Sequence, residues 1–178
     1  MMGIDSEILL HLKPLIGLKL SVARRAADLR NFQFGEIRPI PKGTVGEYAL
    51  HIQCPWRIEG PFGIVTGSSD LWMPAVIEPD FDQDTWNFDT SENLQDRRLA
   101  ELLKGYDPDT RSLVNQTENL VVQSISADAY GSVIIVLSGG YKLVLFHAGT
   151  DGEDWRVFRP AIDESHFVIS GGRIDAEA

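Results

Sequence analysis

A histidine, a cysteine and an arginine lie close together in the segment EYALHIQCPWRIEG. His51 stands three residues before Cys54, the only cysteine, and such a pair could ligate a metal or support nucleophilic catalysis. In a β-strand, however, residues three apart point to opposite faces of the sheet, so the two side chains diverge. Structural zinc also needs four ligands, and the chain has no second cysteine. We therefore predict a buried, inert Cys54 and no metal site.

The same segment predicts a strand with one polar face, because apolar residues occupy its even positions from 48 to 58. The odd face carries His51, Gln53 and Arg57, which together with Asp70 could form a pocket for a small molecule or for hydrolytic chemistry. Alternatively, Arg57 pairs with a carboxylate on a solvated outer face, and Asp70 belongs to a turn or helix cap. Both interpretations stay open at the level of sequence.

A second group of chemically active residues lies in the acidic segment DFDQDTWNFDTSE. Asp80, Asp82 and Asp84 alternate as in a calcium-binding loop. The position that needs glycine is Thr85, however, and the position of the bidentate acid is Ser91. This mismatch argues against a calcium-sensor hand.

Two aromatic residues, Trp86 and Phe88, lie among these carboxylates. An aromatic pair in an acidic loop is typical of a hot spot for a basic, partly apolar partner. Alternatively, both rings fold back and cover the sheet. We expect Asp80, Asp82 and Asp84 to contact the partner together with the two rings.

Signatures of catalysis and of cofactor binding are absent from the sequence. There is no G-x-S-x-G elbow, no phosphate-binding loop and no dinucleotide fingerprint, so we predict no cofactor. His147 and His166 lie near Asp151, Glu153 and Asp154, but no spacing enforces a metal site there. The sequence favours a non-enzymatic protein without establishing one.

The charge of the chain limits its partners. A net charge of −10 argues against binding of nucleic acid, where phosphate contacts supply most of the affinity. Residues 11–45 carry a net charge of +5 and residues 78–109 a net charge of −7. The acidic part predicts either good solubility or a surface for a basic protein.

Length and composition indicate a single folded domain over residues 1–178 in the cytoplasm. Apolar content of 43% and charged content of 24% are ordinary for a folded protein. No apolar run reaches the ~20 residues of a membrane span, and the N-terminus lacks the basic start of a secretory signal. A single cysteine fits a reducing compartment.

The elements that must position these residues are mostly strands, and the predicted fold class is α+β. Five short runs after residue 118 predict an antiparallel C-terminal meander, with a tight hairpin at residues 138–140. One or two helices should pack on one face of this sheet. One helix follows the loop at 74–90, begins at Thr90 or Ser91 and ends at Gly105. Residues 4–35 stay ambiguous between helix and strand.

Three segments, ALHIQCPWRI, GSSDLW and GYKLVLFHAGTDGEDWRVF, resemble segments of small uncharacterised bacterial proteins. The C-terminal hairpin, acidic turn and Trp-Arg pair are also similar to immunity proteins of bacterial toxin systems. The resemblance implies a bacterial cytosolic protein that acts by binding. The leading hypothesis is a toxin-neutralising interaction protein, with a homodimer also considered. The rival hypotheses are the small-molecule or hydrolytic pocket described above and a structural accessory subunit.

Overall fold

The protein consists of short antiparallel strands and two α-helices, as seen in a computed structural model that describes residues 3–178. Single 3-10 turns follow the first helix (Lys13–Leu15) and the seventh strand (Ser68–Trp72). The helices are α1 (Ile4–Leu12) and α2 (Leu94–Leu103), and the strands are β1 (Leu20–Ala26), β2 (Leu29–Phe34), β3 (Arg38–Ile40), β4 (Gly43–Val45), β5 (Tyr48–Ile52), β6 (Trp56–Gly60), β7 (Gly63–Gly67), β8 (Lys104–Asp107), β9 (Ser112–Asn115), β10 (Val122–Ala127), β11 (Val133–Leu137), β12 (Tyr141–Leu145), β13 (Glu153–Phe158), β14 (Phe167–Ser170) and β15 (Arg173–Ile174).

Two large sheets organise these strands around a shared core. An eight-stranded sheet has the order β15-β14-β13-β5-β2-β1-β9-β8, and a five-stranded sheet has the order β10-β11-β12-β6-β7. Strands β3 and β4 form a separate ribbon. One hydrophobic cluster contains buried residues of both large sheets and of both helices. The predicted α+β class is confirmed at this level.

The predicted C-terminal meander is only part of the observed arrangement. Strands β10, β11 and β12 do form a meander, with the tight hairpin at 138–140, but β6 and β7 extend that sheet. Strands β13 and β14 join the eight-stranded sheet instead. Helix α1 contacts β10 and helix α2 contacts β7, at opposite edges of the five-stranded sheet, and α2 also contacts β8 and β9 of the eight-stranded sheet. No helix within residues 3–178 is long and apolar enough to span a membrane.

The segment predicted as a single strand over residues 47–59 is divided between the two sheets. The chain leaves β5 of one sheet and enters β6 of the other, and the backbone N–H groups of Gln53 and Cys54 both donate to the carbonyl oxygen of Asp154, at 2.8 and 3.0 Å. The even positions from 50 to 58 stay buried on both sides of this corner, because both sheets turn an inner face to the same core. The prediction of an inward Cys54 and an outward His51 is confirmed.

The ambiguous N-terminal region contains α1 and the hairpin of β1 and β2. Val22, Ala26 and Leu29 have a spacing that is compatible with a helix, but they belong to strands: β1 pairs with β2 and, through Val22 and Ala23, with β9. Ala27 takes a positive φ of 50° in the tight connection between the two strands. The pairing of β1 with β9, about ninety residues away in the sequence, favours the strand over a helix. The spacing of residues within β1 cannot reveal such a distant pairing.

Helix α2 forms where the sequence predicts a helix, but other residues cap it. The side chain of Asn93, rather than Thr90 or Ser91, accepts a hydrogen bond from the backbone N–H of Asp96 at 2.8 Å. At the C-terminus, Lys104 takes the left-handed conformation at φ 65°. Gly105 is needed instead for close strand packing, because a Cβ there would lie 2.6 Å from the carbonyl oxygen of Val114.

Candidate functional site

Residues 76–91 form a long excursion, here called the acidic loop, that is closed at its base by backbone hydrogen bonds. The N–H of Ala75 donates to the carbonyl of Glu92 at 2.9 Å, and the N–H of Leu94 donates to the carbonyl of Met73 at 2.8 Å. The base of the loop therefore lies between the end of the 3-10 turn and the start of α2. The predicted surface loop at 74–90 is confirmed.

The carboxylates near the tip of this loop are exposed and uncompensated. Within residues 3–178, none of Asp80, Asp82 and Asp84 forms an ion pair. The sequence contains no Lys, Arg or His between Arg57 and Arg97. Asp82 also shapes the loop, since its side chain accepts from the N–H of Asp84 at 3.0 Å. The loop thus presents negative charge to solvent.

The two aromatic rings of the acidic loop are partly buried. Phe88 packs edge-to-face on Trp72 at 4.7 Å between centroids, and the guanidinium of Arg25 lies 5.5 Å from its ring centre. Trp86 packs on Phe81 within the loop, at 6.3 Å. Phe88 therefore anchors the loop to the body of the protein, whereas Trp86 stiffens the loop itself. The predicted contact of both rings with a partner stays a prediction.

Several well-exposed apolar side chains precede the carboxylates in the sequence and were not predicted as site residues. Trp72 is 50% exposed, Met73 42%, Val76 53% and Ile77 65%. The signal in the sequence is the apolar run WMPAVI directly before the acidic segment, in a stretch that Pro74 and Pro79 keep out of regular structure. Together with the acidic loop, these four residues form what we call the loop surface.

The basic and acidic parts of the chain meet inside the protein as well as at its surface. Arg25 of β1 pairs with Asp89 at 2.8 Å and with Asp96 at 3.2 Å, and Arg30 of β2 pairs with Asp96 at 2.7 Å. Ion pairs within the protein therefore neutralise part of the positive charge of residues 11–45 and part of the negative charge of residues 78–109. The three aspartates at 80, 82 and 84 retain their charge unpaired within residues 3–178.

His51 lies in a polar cluster on the outer face of the eight-stranded sheet. It is paired in register with Asn31 and Arg156 of the neighbouring strands. Its ring contacts Phe158 edge-to-face at 4.7 Å, and Phe158 in turn stacks on His166 at 4.1 Å. Sequence reasoning could not assemble this cluster, because it joins residues more than a hundred positions apart.

Burial and a neighbouring positive charge both oppose protonation of the two histidines of this cluster. Burial, followed by the positive charge of Arg156, lowers the pKa of His51 and that of His166. Arg156 is itself occupied by a bidentate ion pair with Glu153 and by Nδ1 of His166 at 3.0 Å. The hydrogen bond from Arg156 is the main cause that lowers the pKa of Glu153. A hydrogen bond from Gln53 lowers it further. The one guanidinium of the cluster is therefore already engaged and is not available to bind an anion.

The four residues of the predicted pocket do not converge on one site. His51 and Gln53 belong to the outer-face cluster, whereas Arg57 extends from the five-stranded sheet and pairs with Glu59 at 2.8 Å. Asp70 accepts from Thr66 at 2.8 Å and from the N–H of Gly67 at 3.4 Å, and so stabilises the 3-10 turn. Because the chain changes sheets between His51 and Arg57, their outward side chains lie on opposite sides of the molecule.

Residues 3–178 contain no cluster of three or more histidine, cysteine or carboxylate side chains that could hold a metal ion. His166 stacks on Phe158, whereas His147 packs so closely against Gly172 that a Cβ at that glycine would lie 2.5 Å from Nε2 of the histidine. Cys54 is 6% exposed, and burial followed by the charge of Asp154 raises the pKa of its thiol to about 12. The sulfur therefore stays protonated in the folded protein.

Comparisons with known proteins add no assignment to this geometry. No protein-family model matches the chain, and neither curated proteins nor solved structures show a significant match.

Proposed function

We propose that the protein is a non-enzymatic interaction protein that binds a basic, partly apolar protein through the loop surface. The observation that carries this proposal is the exposure of Trp72, Met73, Val76 and Ile77, which directly precede the unpaired carboxylates of the acidic loop along the chain. Exposed apolar side chains that are rimmed by charge are typical of protein-binding sites. The hydrogen-bonded base of the loop supports the proposal, because a preorganised surface loses less entropy on binding.

The narrower proposal is that the partner is a bacterial toxin, which the protein neutralises by covering a cationic surface. It rests on the resemblance of the C-terminal hairpin and Trp-Arg pair to immunity proteins, together with the net charge of −10. A strongly negative protein with a localised acidic loop would be steered toward a positive partner. Association in such a pair should be fast at low salt and slow at high salt.

The partner can be identified with a photo-crosslinking amino acid placed at Ile77, which is 65% exposed. The same crosslinker at Tyr130, which is 72% exposed in the turn between β10 and β11, serves as the control. The proposal requires a crosslinked protein with a basic surface from Ile77 and not from Tyr130. Equal capture at both positions would place the contact elsewhere or show it to be nonspecific.

Charge reversal then tests the role of the carboxylates with the isolated partner. We expect the triple variant Asp80→Lys, Asp82→Lys, Asp84→Lys to associate about tenfold or more slowly at low salt, with a flatter salt dependence. The matched control reverses Glu118, Asp163 and Glu177, which are also exposed and lie outside the loop surface. If both triple variants associate at the same rate in stopped-flow measurements, the acidic loop does not bind the partner.

A further inference from the structure

A cavity lies beside the last residues of β1, where β9 no longer pairs with that strand. Its lining is rich in positive charge although the whole chain is acidic. Strand β9 begins at Ser112 and pairs with β1 at Val22 and Ala23, so its pairing does not extend to the last residues of β1. The cavity beside them has a volume of about 430 Å³. Its lining includes four arginines, Arg24, Arg25, Arg30 and Arg111, together with Tyr106 and Leu113.

Two of these arginines are already neutralised. Arg25 and Arg30 pair with Asp89 and Asp96, which also line the cavity, so these four charges balance one another. Arg30 is 1% exposed and is held further by Gln95, whose side-chain oxygen accepts from Nε at 3.1 Å. These four groups therefore line the cavity without adding net charge to it.

The other two arginines form no ion pair within the described range 3–178. Arg24 donates from Nε to the hydroxyl of Ser112 at 2.6 Å and from Nη2 to the hydroxyl of Thr44 at 3.0 Å, both of which are uncharged acceptors. Burial lowers the pKa of Arg24, and the charge of Asp107 opposes this only in part. With Arg24 and Arg111 unpaired, the four arginines and two aspartates of the lining leave the cavity an excess of two positive charges.

The backbone of Arg111 gives an independent indication. Its φ is 51°, a left-handed conformation that asparagine and glycine adopt more easily than arginine. The residue ends the turn between β8 and β9. An arginine at this position supplies a guanidinium to the cavity despite an unfavourable backbone conformation.

We propose that this cavity binds a small organic anion, with a phosphate or carboxylate head between Arg24 and Arg111 and an apolar or aromatic body along Tyr106 and Leu113. Guanidinium groups bind both kinds of head through charge-assisted hydrogen bonds. Tyr106 is 60% exposed and offers a ring face to the body of the ligand. The volume lies in the range of small-molecule sites. Asp89 of the acidic loop lines this cavity, but anion binding here does not rest on the protein-binding function proposed for the loop surface.

Phenyl phosphate is a suitable probe, and benzylamine is the matched control of opposite charge. In an NMR titration at low salt, phenyl phosphate should shift the arginine Nε–Hε signals saturably, and benzylamine should not. Benzoate in place of phenyl phosphate distinguishes a carboxylate head from a phosphate head, and saturable binding of either supports the site. If neither anion saturates by about 10 mM, the proposal is wrong.

The variant Arg111→Asn separates binding from folding. Asparagine accepts the left-handed backbone, so the melting temperature should stay unchanged or rise, whereas the dissociation constant should increase about tenfold or more. Arg111→Lys keeps a cation and should lose less affinity. Arg159→Asn removes the same charge from a surface pair with Glu164 and should bind as the unaltered protein does. Equal affinity of Arg111→Asn and Arg159→Asn would overturn the proposal.

Discussion

At the scale of single residues, Asp96 has the largest structural role that the charge pattern of the sequence did not reveal. Its carboxylate accepts hydrogen bonds from Arg30 at 2.7 Å, from Arg25 at 3.2 Å and from the side chain of Asn93 at 2.8 Å. Burial acts to raise the pKa of Asp96, but the attraction and hydrogen bond of Arg30, together with the hydrogen bond of Asn93 and the charge of Arg25, outweigh it, so the pKa is lowered. The residue connects the β1–β2 hairpin to the start of α2.

We expect Asp96→Asn to destabilise the protein by about 3 kcal/mol at pH 7, because Arg30 is left buried without a negative partner. The lowered pKa means that the carboxylate contributes stability above its unfolded-state value near 3.9, and that this contribution is lost as pH falls through the folded-state value. The difference between variant and parent should therefore shrink in acid. Urea unfolding at pH 7 and at about pH 3 measures both effects.

The control for this experiment is Glu101→Gln, which breaks an exposed pair with Arg97 at 3.5 Å. A surface pair of this kind contributes about 0.5 kcal/mol or less. If Asp96→Asn costs no more than this control, the pair with Arg30 does not stabilise the fold.

At the scale of elements, α2 shows how tertiary contacts select one cap among several candidates. Thr90, Ser91 and Asn93 are all suitable residue types at the predicted start of the helix. Of the three, Asn93 alone is buried, at 1% exposure, and its amide group also donates to the carbonyl of Phe88 at 3.2 Å. The cap therefore holds the end of the acidic loop as well as the first turn of the helix.

Replacing this cap should cost more than replacing its neighbour. We expect Asn93→Ala to lower the free energy of unfolding by about 1–2 kcal/mol, since the N–H of Asp96 loses its acceptor. Ser91→Ala removes an exposed residue of the same capping class and should change stability by about 0.5 kcal/mol or less. Equal effects in chemical denaturation would mean that the cap has been assigned to the wrong residue.

Sequence patterns over a few neighbouring residues predicted the elements whose structure depends mainly on those residues. The alternation identified the buried positions correctly over residues 50–58 but failed at Tyr48, which is half-buried, and at Ala49, which is buried; the Ser138-Gly139-Gly140 turn and the helix after the loop were also found. The sequence could not predict that β5 and β6 belong to different sheets. A strand that continues in one sheet and a strand that crosses to another show the same alternation of apolar and polar residues. The His51 cluster and the arginine-lined cavity depend on such long-range pairing and could not be predicted.

At the scale of the whole molecule, the corner at Gln53–Pro55 joins the two sheets, and Cys54 lies at that point in the shared core. A thiol that is 6% exposed, with a pKa raised to about 12, should react only when the core opens. We expect labelling of Cys54 by a thiol reagent at pH 8 to be very slow in the folded protein and to follow the urea transition seen by circular dichroism. Rapid labelling in native buffer would show that the corner opens without global unfolding.

The absence of cationic side chains between Arg57 and Arg97 has a practical consequence for mapping the loop surface. Trypsin cleaves after lysine and arginine, so a complete tryptic digest releases the acidic loop only within one long peptide, residues 58–97. Protection from trypsin can therefore report nothing about this surface. A footprint of the partner requires a protease that cleaves after aromatic or acidic residues, which the loop offers at Trp86, Phe88 and its aspartates.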